Sequence, residues 1–414
     1  MKRIPLVILI CAVSFISYSQ QLSGDIEVYL NTLIEDIPRS NGNHYREPSE
    51  EERGTWESCL QSFLDGHLVL ARQAIDELNY QIIEFQDTSQ HPASNYYVFQ
   101  EKPSRTNYWG TYVFTEDPLR KHLILQIPHP LYDSKTGYQG AYCFKRLSAG
   151  ALFLSGTHRC NSTLESPCSG TTTACSTNSA PYRISDNAHN TNSMFQVSTE
   201  VVFRTYANSK FVQLHGFAKN DSDPYVIMSN GTRVTPEEDY VSLIRDYLSI
   251  ADPGLTFKVA HIDLDWNRLI AFTNTQGRFI NGSLFPCIMN ATDSEGRFIH
   301  IEQERIRLRN DISGWNKMLY ALSNAFQVDT ATDTRLLKEE APFAIYPNPA
   351  CGYITIRTDG PSLITLYNLD GALMLSKELS GFDHRIDLSS MTSGIYLIRI
   401  ENRAKIYFTK VIVL

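Results

Sequence analysis

The sequence predicts an α/β protein, a largely parallel mixed sheet covered by helices on both faces, followed by a small C-terminal β-sandwich. Two observations carry this prediction. Between residues 22 and 328, short apolar runs alternate with longer helix-like stretches, the order expected when each strand feeds a crossover helix back to a parallel neighbour. From residue 343 onward the pattern changes to period-2 alternation broken by turn residues, which folds as a set of short strands.

In the first region HLILQI, ALFLSG, KFVQLHGF, PYVIMSN, TFKVAHI, RLIAFT and RFIHIE read as strands, and 56–84, 138–150, 236–249 and 303–326 read as helices. No repeat or low-complexity linker interrupts residues 22–328, so they read as one domain at the upper end of the usual size range. The polar stretch DTATDTRLLKEEAP, residues 329–342, is a linker. Beyond it YITIRT, SLITLYNLDG, HRIDLSSMTSGIYLIRIE and FTKVIVL supply the strands of the sandwich, residues 343–414.

Composition narrows the class. A chain of 414 residues with 42% hydrophobic and 20% charged residues is neither disordered nor collagen-like nor a multi-span membrane protein. Its 37 basic against 45 acidic side chains, net charge −8, offer no polybasic face for a phosphate backbone, which excludes nucleic acid as a partner. Residues 1–19 have a Lys2/Arg3 head, an apolar stretch from Pro5 to Ser17 and small residues at Ser17 and Ser19. That is a secretory signal peptide, cleaved near Ser19 or Gln20 and too short to span a bilayer as a finished helix. The mature chain is therefore expected outside the cytoplasm with no transmembrane span. Cys11 has no lipobox before it, which disfavours a lipid anchor.

Seven cysteines remain after cleavage, and Cys160, Cys168 and Cys175 stand in a Ser/Thr/Asn-rich loop with little apolar content. In an exported protein such a loop is stapled by one or more disulfides. The odd count leaves at least one thiol unpaired, and spacing does not give the pairing. There is no CxxC pair to hold a structural zinc.

In an open α/β sheet ligands bind outside the carboxyl ends of the strands, and four strand exits carry ligand-type residues. HLILQI leads to His129 and Asp133, ALFLSG to His158 and Arg159, FVQL to His215, and RFIHI to Glu302. Period 2 places Phe298, His300 and Glu302 on one face of the last strand and Ile299, Ile301 and Gln303 on the other. If the isoleucines pack under a helix, Glu302 points away from them, free to act as a general base or to pair with Arg305 or Arg309. Metal-assisted hydrolysis needs three protein ligands and an open position. His129, Asp133 and His215 supply such a set for zinc, with the first two in one tight loop and the third from a distant strand. Asp133 also suits a plain turn, Asp-Ser-Lys-Thr-Gly.

Asp186 and His189, three residues apart, could support the ligands or replace a pair of them, or Ser185 or Asp186 could simply cap a helix. Arg278, between Gly277 and Gly282 and close to Asn281, could clamp a substrate carboxylate, as could Arg159 beside His158; a glycine-rich hairpin with an exposed arginine fits the segment equally. The sequence has no GxSxG, no GxxxxGK[ST], no GxGxxG and no HExxH, so the hydrolase, nucleotide and metalloprotease signatures those motifs carry are absent. Asp263 and Asp265 lack the spacing and terminal glutamate of a calcium loop.

Two segments resemble known families. YPNPACGYITI, LYNLDGALM, IDLSSMTSGIYLIRI and the final KVIVL resemble the C-terminal sorting domain of type IX secretion substrates in Bacteroidetes. The resemblance implies passage through the periplasm and across the outer membrane, engagement of the outer-membrane secretion machinery by residues 343–414, and release or attachment at the cell surface. Residues 120–325 resemble the superfamily of zinc carboxypeptidases, N-formylglutamate amidohydrolases and zinc N-acetylmuramoyl-L-alanine amidases, with IPHPLYD, VQLHGF and FIHIEQERIRLR in the places of its site. This resemblance implies His129, Asp133 and His215 as zinc ligands and Glu302 as catalytic base. The sequence departs from the family at the second ligand, where aspartate stands four residues after the histidine in place of the glutamate of HxxE.

The expected function is a secreted or cell-surface zinc-dependent amide hydrolase acting on a peptide, muropeptide or γ-glutamyl-type substrate. A non-catalytic surface protein that binds glycan or peptide, and a glycosidase using two carboxylates, are the rival readings.

Overall fold

The computed structural model describes residues 20–40, 42–328, 343–358, 360–368, 372–380, 383–402 and 405–414. The signal segment 1–19 and the linker 329–342 lie outside the described residues. The chain divides into two compact units, Met1–Arg53 with Asn79–Asp329 and Gly54–Leu78 with Thr330–Leu414.

The elements, in chain order, are β1 (Gln20–Gly24), α1 (Ile26–Glu35), α2 (Glu50–Leu64), α3 (Leu68–Asp76), β2 (Tyr80–Asp87), β3 (Ser94–Glu101), β4 (Thr111–Thr115), β5 (Arg120–Ile127), α4 (Thr136–Leu147) and β6 (Ala149–Leu154). They continue with the short pair β7 (Thr171–Thr172) and β8 (Ala180–Pro181), then α5 (Met194–Thr205), β9 (Lys210–Phe217), β10 (Val226–Ser229), α6 (Tyr240–Ala251), β11 (Phe257–Val259), α7 (Thr275–Ile280), β12 (Phe298–Glu304), a π-helical turn Arg305–Arg309 and α8 (Ile312–Ala325).

A ten-stranded sheet in the order β1-β2-β3-β4-β6-β5-β9-β12-β10-β11 forms the first unit. Its centre, β6-β5-β9-β12, is parallel throughout, whereas β2, β3, β4 and β6 pair antiparallel in succession and β10 runs against β12. The chain leaves β5 toward β6 on one side and later returns to add β9 on the other. Between β5 and β9 the strand order therefore reverses, and the crevice outside their carboxyl ends is a switch point of the kind that takes ligands.

Side-chain alternation assigns the two faces. Leu125, Ile127, Val212, Leu214, Ile299 and Ile301 point into a continuous core with residues of α1, α4, α6 and α8, among them Ile34, Phe144, Ile244 and Leu322. Removing one such side chain to alanine costs about 2–5 kcal/mol. The opposite face carries Gln126, Gln213, His215, His300 and Glu302, all buried. Gln126 donates to Thr199 of α5 and Gln213 to Gln276 of α7, so these two helices cover the polar face.

Three sequence expectations need correction. The helix expected over 56–84 is two helices and a strand: Gly66, at φ 85°, ends α2 with bonds from its own N–H to Phe63 O and from His67 N–H to Ser62 O, a Schellman closure, and β2 begins at Tyr80. RLIAFT is a loop, because Leu269 and Ala271 hold positive φ values of 58° and 60° that no strand contains. The helix expected from 303 starts only at Ile312, since β12 runs to Glu304 and the π-helical turn follows.

The tail is a two-sheet sandwich of β13 (Phe343–Tyr346), β14 (Tyr353–Thr358), β15 (Ser362–Tyr367), β16 (Leu373–Leu379), β17 (Asp383–Asp387), β18 (Gly394–Asn402) and β19 (Lys405–Val413). One sheet has the order β13-β14-β17 and the other β16-β15-β18-β19. Inward residues such as Ile354, Ile356, Ile364, Leu366 and Ile398 form its core. Two disulfides, Cys160–Cys175 and Cys168–Cys287, staple the Ser/Thr-rich loop, and Cys59, Cys143 and Cys351 are free thiols. Among the described residues no helix is long and apolar enough to cross a membrane.

Candidate metal centre

The loop after β5 is built to hold two side chains together. Asp133 N–H donates to His129 O at 3.1 Å, and the Thr136 hydroxyl donates to the carbonyls of Asp133 at 2.7 Å and His129 at 3.3 Å. This turn brings His129 Nδ1 to 3.3 Å from Asp133 Oδ2. From β9, His215 Nδ1 approaches the same Oδ2 to 3.2 Å. The three residues are 2–3% exposed, and their ligand atoms lie within 4.8 Å of one another.

Both imidazoles are oriented from behind. His129 Nε2 lies 2.8 Å from Asp186 Oδ1, and Asp186 is held in turn by Arg159, whose Nε donates to Oδ2 at 2.9 Å and whose Nη2 reaches the same oxygen. An ionised carboxylate only accepts, so the proton of this bond is on His129 Nε2. For His215 the direction follows from a chain of buried amides. Asn274 Oδ1 caps α7 by accepting from Gly277 N–H at 2.9 Å, which leaves its amide nitrogen to donate to Gln213 Oε1 at 2.7 Å. Gln213 Nε2 donates onward to Gln126 Oε1 and Gln276 Oε1. Gln213 Oε1 therefore faces His215 Nε2, at 3.1 Å, and can only accept.

The consequence is electrostatic. With protons on Nε2, the Nδ1 lone pairs of His129 and His215 converge on a carboxylate oxygen, an arrangement stable only with positive charge among the three. Either a further proton on His129 or a cation supplies it. Ligand atoms on a tetrahedral ion with bonds of about 2.0–2.1 Å stand roughly 3.3 Å apart, the spacing of Asp133 from both rings. The residues present therefore fit a divalent ion.

The charges respond accordingly. Burial pushes the Asp133 carboxyl up, but the facing His129 and His215 outweigh it and hold it far below the usual range. Asp186 is likewise held down, against burial, by Arg159 and His129. Burial and Arg159 push His129 down, but Asp186 and Asp133 raise it overall. Burial lowers His215.

Glu302 stands beside this cluster. It pairs in register with His215 across β12 and β9, and its Oε1 is 3.8 Å from His300 Nε2, whose ring lies 4.4 Å from that of His215. Glu302 Oε2 and His300 Nδ1 are buried without a protein hydrogen-bond partner. Burial and the charge of Asp133 push the Glu302 carboxyl up to about 8, and burial holds His300 well below its ordinary value. No salt bridge joins Glu302 to Arg305 or Arg309, the pairing that the sequence left open; Arg309 donates to carbonyls instead.

The remaining candidates are placed differently. Asp186 caps no helix, since the next one, α5, is capped by Ser193; it joins the cluster directly through His129. His189 stacks on Tyr182, centroids 3.7 Å apart, with Nδ1 2.9 Å from Thr273 O, and burial drops it to about 3. His158 Nδ1 accepts from Cys160 N–H, and burial with the charges of His129 and Arg159 lowers it to about 4. Arg159 lies against Tyr132, 5.2 Å from its ring centre.

Arg278 lies on α7, not in a hairpin, and its guanidinium is taken up by Phe272 O, Asn290 Oδ1, Ser169 Oγ and the carbonyls of Pro286 and Cys287. Asn281 donates to Asn230 O. These contacts brace the loop around the Cys168–Cys287 disulfide, and no hydrogen bond brings either residue to the cluster. Sequence reasoning placed His300 on the face of Glu302 and offered Arg309 only as a partner for Glu302, giving neither a role at the centre, and it passed over Gln213, although period 2 puts that side chain on the face of His215.

Fold and cluster together define an α/β protein with a buried two-histidine, one-carboxylate centre at a strand switch point and a separate β-sandwich tail. Residues 344–414 match the family described as secretion system C-terminal sorting domain, so the tail is a type IX sorting domain and the protein is exported across the outer membrane to the cell surface or beyond. No curated protein matches the chain. Among solved structures it is similar to PorZ, a surface component of the type IX secretion system of Porphyromonas gingivalis, at 15% identity over 17% of this chain and 11% of PorZ, with TM-score 0.15; the chain thus spans about a tenth of that protein's length. It is also similar to a bacteriophage poly-gamma-glutamate hydrolase, at 16% identity over 52% of this chain and 87% of the other, with TM-score 0.28.

Proposed function

We propose that the exported protein is a zinc-dependent hydrolase that cleaves an amide bond in a peptide, muropeptide or γ-glutamyl-type substrate. The observation that supports this most is the convergence of two imidazole Nδ1 atoms on Asp133 Oδ2, at 3.3 and 3.2 Å, with each ring fixed from its far side. His129, Asp133 and His215 would hold the ion. When bound, zinc supplies Lewis acidity and makes water a stronger acid near neutral pH.

The chain's own groups then account for proton traffic. Glu302, with Oε2 unpartnered and its carboxyl pushed up to about 8, in its ionised form takes a proton from the attacking water as the water oxygen bonds to the amide carbon, and passes it to the nitrogen as the carbon–nitrogen bond breaks. Arg159, held by Asp186 behind His129 and lying against Tyr132, would meet a substrate carboxylate. The test is hydrolysis of a panel of peptides, muropeptides and γ-glutamyl peptides by the mature chain, before and after chelation and zinc replacement. Turnover lost to chelator and restored by zinc supports the proposal, whereas sugar-polymer cleavage indifferent to chelator would favour a glycosidase.

A further inference from the structure

Arg309, the last residue of the π-helical turn, is 3% exposed, and a guanidinium so buried ordinarily faces a carboxylate. This one does not. Its Nε donates to Gln303 O at 2.9 Å, its Nη1 to Ser134 O, and its Nη2 to Phe217 O at 3.3 Å. Ser134 directly follows Asp133, Gln303 directly follows Glu302, and Phe217 lies two residues beyond His215. Three strand exits, from β5, β9 and β12, thus converge on one side chain.

β9 and β12 stay paired through Phe217 and Glu304, whereas the β5–β9 ladder ends at Gln126 and Gln213, so strand pairing does not tie the Ser134 carbonyl, in the loop after β5, to the other two. Arginine spreads its N–H donors over three nitrogens in one rigid plane and so meets three separated carbonyls at once, whereas lysine brings its three donors on a single nitrogen. The fold also reserves the space. A Cβ on Gly216 would lie 2.1 Å from Arg309 Cζ, so glycine beside His215 leaves room for the guanidinium. Trp315 Nε1 donates to Arg309 O at 2.8 Å and fixes the arginine's own backbone.

We infer that Arg309 is a positioning residue that clamps the loop of Asp133 against the paired ends of β9 and β12, and so sets the placement of Asp133 relative to His215 and Glu302. Its consequence for metal binding rests on the proposed zinc reading; its consequence for the loops does not. The control is Arg307, in the same turn, whose guanidinium holds Asp252 and Gly254 O instead.

The experiment compares the mature parent chain with Arg309→Lys, Arg307→Lys and Gly216→Ala. Zinc affinity is read by competition with a chelating dye, and backbone amide exchange is read over residues 128–136 and 214–218. The inference predicts a 10–100-fold loss of zinc affinity and faster exchange over residues 128–136 for Arg309→Lys, with 214–218, held by the β9–β12 ladder, changing less, and with Arg307→Lys within about 2-fold of the parent. Gly216→Ala, which displaces the guanidinium without removing it, should reproduce the loss and decides the matter if Arg309→Lys does not fold. Parent-like affinity and exchange in the Arg309 and Gly216 variants would overturn the inference. If the parent binds no zinc, the metal reading fails, and the exchange data alone judge the clamp.

Discussion

His215 and Glu302 are register partners on the parallel strands β9 and β12, so their side chains leave the same face of the sheet side by side. One faces Asp133 and the other carries an unpartnered buried oxygen. A ligand-type histidine and a buried carboxyl with one unpartnered oxygen are thereby fixed relative to each other by paired strands of the sheet rather than by a loop.

Glu302→Gln tests that division of labour. Glutamine keeps the size of the side chain but carries no proton between water and amine, so turnover on a cleaved amide substrate should fall at least about 100-fold. Zinc content should not change. Steady-state kinetics beside metal analysis of the same preparation checks both, and retained turnover would remove Glu302 from its role.

Asp186→Asn probes the support behind His129. The substitution leaves an acceptor for Nε2–H but strips the negative charge facing the buried guanidinium of Arg159. Breaking such a pair costs about 3–5 kcal/mol, and weakening the brace of a ligand costs about 10–100-fold in metal affinity. Urea unfolding and zinc competition should report both losses together. A variant as stable and as tight as the parent would show that Asp186 is incidental.

Away from the centre, Asp239 caps α6 through Ser242 N–H and faces His261 Nε2 at 3.0 Å. Burial raises its carboxyl, but the bonds from His261 and Ser242 outweigh this and hold it at about 2. A carboxyl held below its unfolded value of 3.8 contributes stability above that pH and loses it as pH falls through about 2. Asp239→Asn keeps a cap without the charge. Its deficit against the parent should be about 1–2 kcal/mol at pH 5–6 and should close between pH 4 and 2. Urea midpoints across that range measure it, and a pH-independent deficit would contradict the assignment.

The tail predicts a localisation phenotype. With residues 343–414 deleted, the protein should still cross the inner membrane but accumulate in the periplasm, because the sorting domain is what the outer-membrane machinery engages. Fractionation and immunoblotting of a host with type IX secretion checks this, and surface exposure of the truncated chain would refute it.

Much of this organisation was legible in the residues. The alternation of Phe298-Ile299-His300-Ile301-Glu302-Gln303 places both isoleucines in the core and Glu302 on the other face, as the structure has it. Local spacing likewise put His129 and Asp133 in one turn. The antiparallel strands β2, β3 and β4 were not legible, because YQIIEFQD adjoins two helices and is too short for its period to stand out from theirs. Nor was the bond between His129 and Asp186, which joins residues 57 apart across two loops and depends on how those loops fold back. Arg278 was misleading because flanking glycines suggest an exposed hairpin, whereas here a helix turns its guanidinium onto five neighbouring groups. Arg309 was legible only as a possible partner for Glu302, since the partners it has are carbonyls that every residue possesses.

The central claim is that His129, Asp133 and His215 hold one ion. Metal analysis of the purified mature chain, beside His215→Ala prepared identically, tests it most directly. The account predicts about one zinc per parent chain, the stoichiometry of a single three-ligand centre, and its loss from the variant while the fold persists by circular dichroism. A parent free of stoichiometric metal, or a variant that keeps it, would contradict the account.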